Sequence, residues 1–305
     1  MIADALIPIF LIILLGFAIR HTSLIGAAVW PELERLTYYF FFPALLVLRL
    51  STSTFNWSAL RESAAVIGLA LTGMTVFVVV LRKLITRDPG SLSSVFQGSI
   101  RFNTYIGLAC IEALYGDRGL TTAALALAVF IPLVNVLSVI SLSLLSGNGA
   151  NRGAAALTAT VSNPLVLACL VGIAISYFNV RLPPLGVDVL TILTQPALPL
   201  GLLAVGAGIH FTSLAAQSWP LLVAVMTKLL LFPAMLLGAS VLLGINDTMA
   251  MILLILGALP APPSAYILAR QLGGNVTLMA NIITVQTLAA FLAIPFWLQL
   301  AAKYV

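Results

Sequence analysis

Three prolines in four positions, Pro260-Ala261-Pro262-Pro263, interrupt an apolar stretch and run directly into Ser264. Each proline removes a helix donor, and its ring clashes with a carbonyl one turn back. No continuous helix survives that triplet, but a new one can begin at Pro262 or Pro263, since proline suits the first helical turn. A second apolar stretch carries a polar centre of Gln97, Arg101, Asn103, Thr104 and Tyr105. An asparagine side chain competes with the backbone for hydrogen bonds, so Asn103 can interrupt its helix as the prolines interrupt theirs. Side by side, two such breaks would offer two helix N-termini, each with roughly half a positive charge and several unpaired N–H groups. That is an anion site built from backbone. With Arg101 close by, the expected ligand is a small organic anion, most simply a carboxylate, bound by Arg101, Asn103, Thr104, Tyr105, Asn135, Pro260, Pro262, Pro263 and Ser264.

Two of these expectations stay open between function and architecture. An arginine at mid-membrane costs about 2.5–3.5 kcal/mol on insertion scales, so Arg101 serves either to offset the anion or to clamp unwound carbonyls. Lys228, nine residues beyond Trp219, is too deep to snorkel easily. A buried lysine loses its proton readily, so Lys228 is a coupling site or a structural counter-charge. Gln97, Asn163, Pro164, Asn281 and Gln286 join it as coupling or structural residues, and for Asn281 and Gln286, as for Asn135 and Thr284, helix–helix hydrogen bonding is the default role. No acidic residue is expected at mid-membrane, which argues against a sodium or proton site built on a buried carboxylate. Cys110 and Cys169 lie in apolar runs and read as packing residues, and His21 and His210 fall at stretch ends. No metal site and no cofactor are expected. Without a convergent histidine or carboxylate set, or a phosphate loop, the chain is expected not to be an enzyme.

These residues sit in a chain of 305 residues, 61% hydrophobic and 8% charged. Soluble domains carry about 25% charged residues, so there are too few charges here to cover a water-facing surface. The formal charge of +5 comes from scattered basic residues and does not indicate nucleic acid. Ten apolar stretches can be marked, at 2–20, 31–50, 60–82, 91–115, 120–145, 154–178, 185–210, 219–243, 248–272 and 276–303. Turn chemistry separates them at Arg87-Asp88-Pro89-Gly90, Gly116-Asp117-Arg118-Gly119, Gly147-Asn148-Gly149, Pro183-Pro184 and Gly273-Gly274. The first stretch reads as an uncleaved span. Loops after the odd-numbered stretches, with Arg35, hold seven basic residues against five on the other side, a bias that places both termini outside an inner (plasma) membrane.

Landmarks recur at a fixed offset. Pro8 and Pro164 are 156 residues apart, as are Pro43 and Pro199, while Asn103 and Pro260 are 157 apart, as are Gly116 and Gly273. The expected fold is therefore an all-α polytopic membrane protein of ten transmembrane helices. Two five-helix repeats, 1–148 and 149–305, would be inverted relative to one another because five is odd, with helices four and nine broken and crossing. Inverted repeats with broken helices are the pattern of secondary transporters.

Phe102-Asn103-Thr104-Tyr105-Ile106-Gly107-Leu108, followed by Glu112-Ala113-Leu114-Tyr115-Gly116, resembles the first crossover of the auxin efflux carrier family in its compact bacterial form. Asn163-Pro164 is similar to that family's Asn-Pro motif, Leu259-Pro260 with Pro262-Pro263 to its second crossover, and Lys228-Leu with Pro233 to a pattern in its eighth helix. The resemblance covers the whole chain. It implies a fold like that of bile acid symporters and sodium–proton antiporters, with a scaffold of helices 1, 2, 6 and 7 and a transport domain of helices 3–5 and 8–10. It also implies elevator-like alternating access, a homodimer in the lipid bilayer, substrates such as auxin, malate or malonate, and Asn103 as carboxylate ligand. Phe102 stands where plant members have proline, and the long loop after helix five is missing. A bile-acid-type sodium symporter and a channel or sensory membrane domain are the alternatives to an organic-anion carrier.

Overall fold

The computed structural model describes residues 2–22, 24–53, 57–145, 162–210, 217–245 and 248–303, and among them the regular elements are all helical. The first half contains α1 (Ile2–His21), α2 (Val29–Leu36), α3 (Phe42–Ser51), α4 (Trp57–Ile85), α5 (Pro89–Ile100) and α6 (Thr104–Leu145). The second half contains α7 (Pro164–Tyr177), α8 (Pro184–Thr194), α9 (Ala197–Ala207), α10 (Ser218–Met226) and α11 (Phe232–Leu242). It closes with α12 (Thr248–Ala258), α13 (Ser264–Leu272) and α14 (Val276–Ala301). The Gly147-Asn148-Gly149 turn, Arg152, the start of the sixth apolar stretch and the expected boundary between 148 and 149 lie outside the described residues.

Among the described residues, six helical runs are long and apolar enough to cross a bilayer, and Pro164–Tyr177 and Thr248–Ala258 are shorter apolar helices. Leu11, Leu14 and Leu15 on α1, Val76, Val79 and Val80 on α4, and Leu288 and Leu292 on α14 are exposed. Apolar faces of that kind suit hydrocarbon rather than water, as expected of a multi-pass membrane protein.

Two helices widen by one residue at the same local sequence. A π-turn at Thr37–Phe41 joins α2 to α3, and another at Thr227–Leu231 joins α10 to α11. In each the N–H of the next residue, Phe42 or Phe232, donates to the threonine carbonyl five residues back. Pro43 and Pro233 follow. A proline ring clashes with the carbonyl one turn back, and widening the turn relieves the clash without ending the helix. Pro233 has no N–H for the Leu229 carbonyl, which instead accepts from the buried Trp297 Nε1 at 2.7 Å.

Helix packing falls into two groups that meet along α6, which lies on α1, α3, α7 and α9 as well as on its own group. α1 lies on α9, and α3 on α7 and α8; α4, α5, α6, α10, α11, α12 and α14 pack on one another. The closest helix crossing in the first group puts Gly206 against the Ile13 carbonyl and Gly16 against the Leu203 carbonyl, so a Cβ at either position would overlap backbone. Small residues allow such approaches between membrane helices.

The sequence landmarks also recur as conformation. α6 is interrupted at Gly116, whose φ of 58° and ψ of −151° are non-helical, and α13 ends at Gly273 with φ of 81°. Glycine tolerates positive φ because it lacks a Cβ. Both matched glycines thus end a short helix that begins just after a break.

Candidate functional site

The first break follows α5. Arg101 is extended, at φ −74° and ψ 152°, and the Asn103 Oδ1 accepts from the N–H groups of Tyr105 at 3.0 Å and Ile106 at 3.3 Å. Asn103 is therefore the N-cap of α6, the role for which asparagine is among the best residues. The second break lies between α12 and α13. There Ala265 and Tyr266 donate to the carbonyls of Pro262 and Pro263, each at 3.0 Å.

The breaks cross in direct contact. The Asn103 N–H donates to the Pro260 carbonyl at 2.8 Å, which satisfies a buried pair that neither helix could satisfy alone. Gln286 of α14 fastens the crossing from behind. Its Oε1 accepts from the Ala261 N–H at 2.9 Å, and its Nε2 donates to the carbonyls of Gly98 and Ala224, both at 2.9 Å. Arg101 adds a side-chain tie across the breaks, with Nη2 donating to the Ser264 Oγ at 3.2 Å.

A cavity of about 470 Å³ opens at this crossing. Arg101, Asn103, Thr104 and Tyr105 line it from the first break, and Pro262, Pro263 and Ser264 from the second. Asn135 reaches it from the long arm of α6, and Asn163 from the start of α7. Pro260 does not line it, being buried beneath the crossing where its carbonyl meets Asn103. The Tyr105 ring stacks on Phe42 of α3, with centroids 4.5 Å apart and an interplanar angle of 29°.

The helix N-termini were expected to bring several unpaired N–H groups, but the Asn103 cap and the proline carbonyls occupy two at each end. Side-chain donors are unpaired there as well. Asn103 Nδ2 and Arg101 Nε are both buried and without a hydrogen-bond partner. A buried donor left unmade costs about 1–3 kcal/mol, which an anion in the cavity would recover. The helix dipoles still favour negative charge there.

The coupling or structural candidates are dispersed. Asn163 caps α7, its Oδ1 accepting from Leu165 at 2.9 Å and Val166 at 3.4 Å, with Pro164 in the first turn. Lys228 is fully buried in the second π-turn, outside the cavity lining. Its Nζ has no hydrogen-bond partner and lies over the rings of Phe232 at 4.6 Å and Phe102 at 5.9 Å. Such cation–π placement offsets part of the cost of burying the charge. Gln97 is fully buried with neither amide atom paired, and Asn281 is buried in α14.

The cavity has a second wall that the sequence reading missed. Pro31, Glu34, Arg35, Tyr38 and Tyr39 line it from α2 and the first π-turn. A carboxylate thus faces the proposed anion region, where none was expected. Glu32, Glu34 and Arg35 follow closely on a loop and look like a solvated helix start. Only the packing of α2 on α9 and the first π-turn, with the break across the cavity, brings Glu34 to its lining.

Residues 151–298 match the model of the Mem_trans family, described as membrane transport protein. An uncharacterized transporter of Methanothermobacter thermautotrophicus is 21% identical over 301 residues, covering 96% of both chains. These likenesses point to a transporter and not to an enzyme.

Proposed function

We propose that this protein is a secondary transporter of small organic anions, carboxylates such as malate, malonate or auxin-like acids, working by elevator-type alternating access. The observation that carries the reading is the convergence of two broken helices on one cavity. The Asn103–Pro260 hydrogen bond joins the breaks, and the cavity beside it is lined by Arg101 and by Asn103, whose Nδ2 is unpaired. In this reading the chain forms ten transmembrane helices as two inverted five-helix repeats, with α5 and the first part of α6 as the fourth and α12 with α13 as the ninth. The positive-φ glycines at matched positions, Gly116 and Gly273, support the repeat. The two packing groups support a scaffold of helices 1, 2, 6 and 7 carrying a transport domain of helices 3–5 and 8–10. Asn103 and Arg101 hold the carboxylate, and Thr104, Ser264 and Asn135 supply further polar contacts. The protein works as a homodimer in the plasma membrane, with both termini outside.

The test is uptake of labelled malonate, malate and indole acetate into proteoliposomes, wild type beside Asn103→Ala, with and without proton or sodium gradients. Saturable uptake lost in a folded Asn103→Ala variant supports the reading. Conductance far above carrier turnover would assign the chain to a channel, and a folded wild type that takes up none of these anions would overturn the substrate class.

A further inference from the structure

Glu34 is the one acidic group among the described residues that line the cavity. It is half-buried, and its carboxyl group has neither an ion pair nor a hydrogen bond. Its sequence neighbour Arg35 does not neutralise it, because the Arg35 guanidinium pairs with Glu32 at 3.2 Å on the exposed face of α2. From the crossing, Arg101 and Tyr105 share the cavity with it, and from its own run Arg35, Tyr38 and Tyr39 do. Tyr38 stands within electrostatic reach of both Glu34 and Arg101, and Tyr105 within reach of Glu34. α9, which packs on α2, brings no charged or titratable group, and α13 contributes none with a charge to the lining.

An anion held by Arg101 and Asn103 would therefore share one partly dry cavity with a carboxylate that has no ion-pair partner. Two like charges several ångströms apart at an intermediate dielectric disfavour each other by roughly ten- to a hundredfold in binding. Protonation of Glu34 removes that penalty, and linkage makes the effect reciprocal, so that the bound anion favours the proton and the proton favours the anion.

We propose that Glu34 is a proton-dependent positioning residue that sets how tightly the anion is held from the side on which α2 faces the cavity. This rests on the anion-carrier reading. Glu34 sits on the helix group packed with α1, α3, α7 and α9, and Arg101 sits on the other. Under elevator motion the anion travels with Arg101 while the proton stays behind on Glu34. The proton then tunes loading and release without being carried, so Glu34 controls affinity but not the driving force.

The test has two readouts on the full-length protein. Binding of labelled malonate is measured from about pH 5.5 to about pH 8.5 for wild type, Glu34→Gln and Glu34→Asp. Malonate's own titration is common to all three and cancels in their ratio. Wild type and Glu34→Asp should bind more tightly as pH falls, by up to about tenfold per unit. Glu34→Gln should keep the low-pH affinity of wild type throughout. In proteoliposomes under a proton gradient, Glu34→Gln should change KM but leave the steady-state accumulation ratio as in wild type. Glu34→Gln with the wild-type pH slope overturns the proposal while leaving the carrier reading intact, and collapse of its accumulation ratio shows that the proton is carried. Absence of malonate binding by folded wild type at every pH overturns both.

Discussion

Two buried glutamines give opposite predictions from one physical rule. Gln286 makes three hydrogen bonds at the crossing, whereas Gln97, on α5 of the same crossing, makes none with its side chain. Replacing Gln286 with leucine would leave the Ala261 N–H and the Gly98 carbonyl without their Gln286 partner in a fully buried layer. The Ala224 carbonyl would keep the Thr227 hydroxyl at 3.2 Å. Two orphaned backbone groups at about 1–3 kcal/mol each predict a loss of about 2–6 kcal/mol for Gln286→Leu. In Gln97→Leu an unpaired polar group gives way to an apolar one of similar size, which is neutral or stabilising. Tryptophan-fluorescence unfolding in mixed micelles measures both variants against wild type. The expected order of midpoints is Gln286→Leu well below wild type and Gln97→Leu at or above it. Equal midpoints for the two variants, or the reverse order, would refute the hydrogen-bond description of the crossing.

Further expectations concern the frame around the site. Gly206→Ala should cost about 1–3 kcal/mol or more by forcing α1 off α9. Gly68→Ala and Gly238→Ala, where a Cβ meets nothing within 4 Å, should be neutral or gain up to about 1 kcal/mol; the same unfolding assay compares them. Asp88 caps α5 by accepting from the Ser91 N–H at 2.8 Å, and its hydrogen bond with the Ser91 side chain holds its carboxyl below the usual range. The depressed folded value means that this stabilisation is complete above the unfolded pKa of about 3.9 and disappears as pH falls through the lower folded one. Asp88→Ala should therefore cost about 1 kcal/mol at neutral pH, and unfolding of both proteins at falling pH should show the gap closing. Arg49 pairs with Asp117 at 2.7 Å, but the Asp117 side chain is 76% exposed. A double-mutant cycle on that pair should give less than about 1 kcal/mol.

How much was legible in the sequence depends on the range of each interaction. The breaks at Arg101–Asn103 and Pro260–Pro263 could be read because proline and asparagine act on their own backbone within a turn. The described parts of the ten apolar stretches are helical for the same local reason, since a bilayer segment has no other way to satisfy its backbone. What the helix ends do with their donors was less accessible. Asn103 spends its amide oxygen on Tyr105 and Ile106, and Pro262 and Pro263 spend their carbonyls on α13, so two N–H groups at each helix start are already taken, and side-chain donors stand unpaired at the cavity beside those that remain. Pro43 stood out only as a repeat landmark and Pro233 only as part of a motif, and the π-turns before them emerged only from the backbone. Glu34 was missed because its place in the cavity depends on helices far apart in the chain, while its sequence neighbours are charged and near a loop.

The central claim is that the cavity at the crossing is an anion site, and its sign can be measured directly. Thr104 lines the cavity beside Arg101, and both native cysteines, Cys110 and Cys169, are buried. A Thr104→Cys variant would be labelled with an anionic and a cationic methanethiosulfonate of similar size, each with and without malonate. The account predicts faster labelling by the anionic reagent, and protection by malonate that disappears when Arg101→Ala is added. Faster labelling by the cationic reagent, or rates that malonate leaves unchanged, would contradict it.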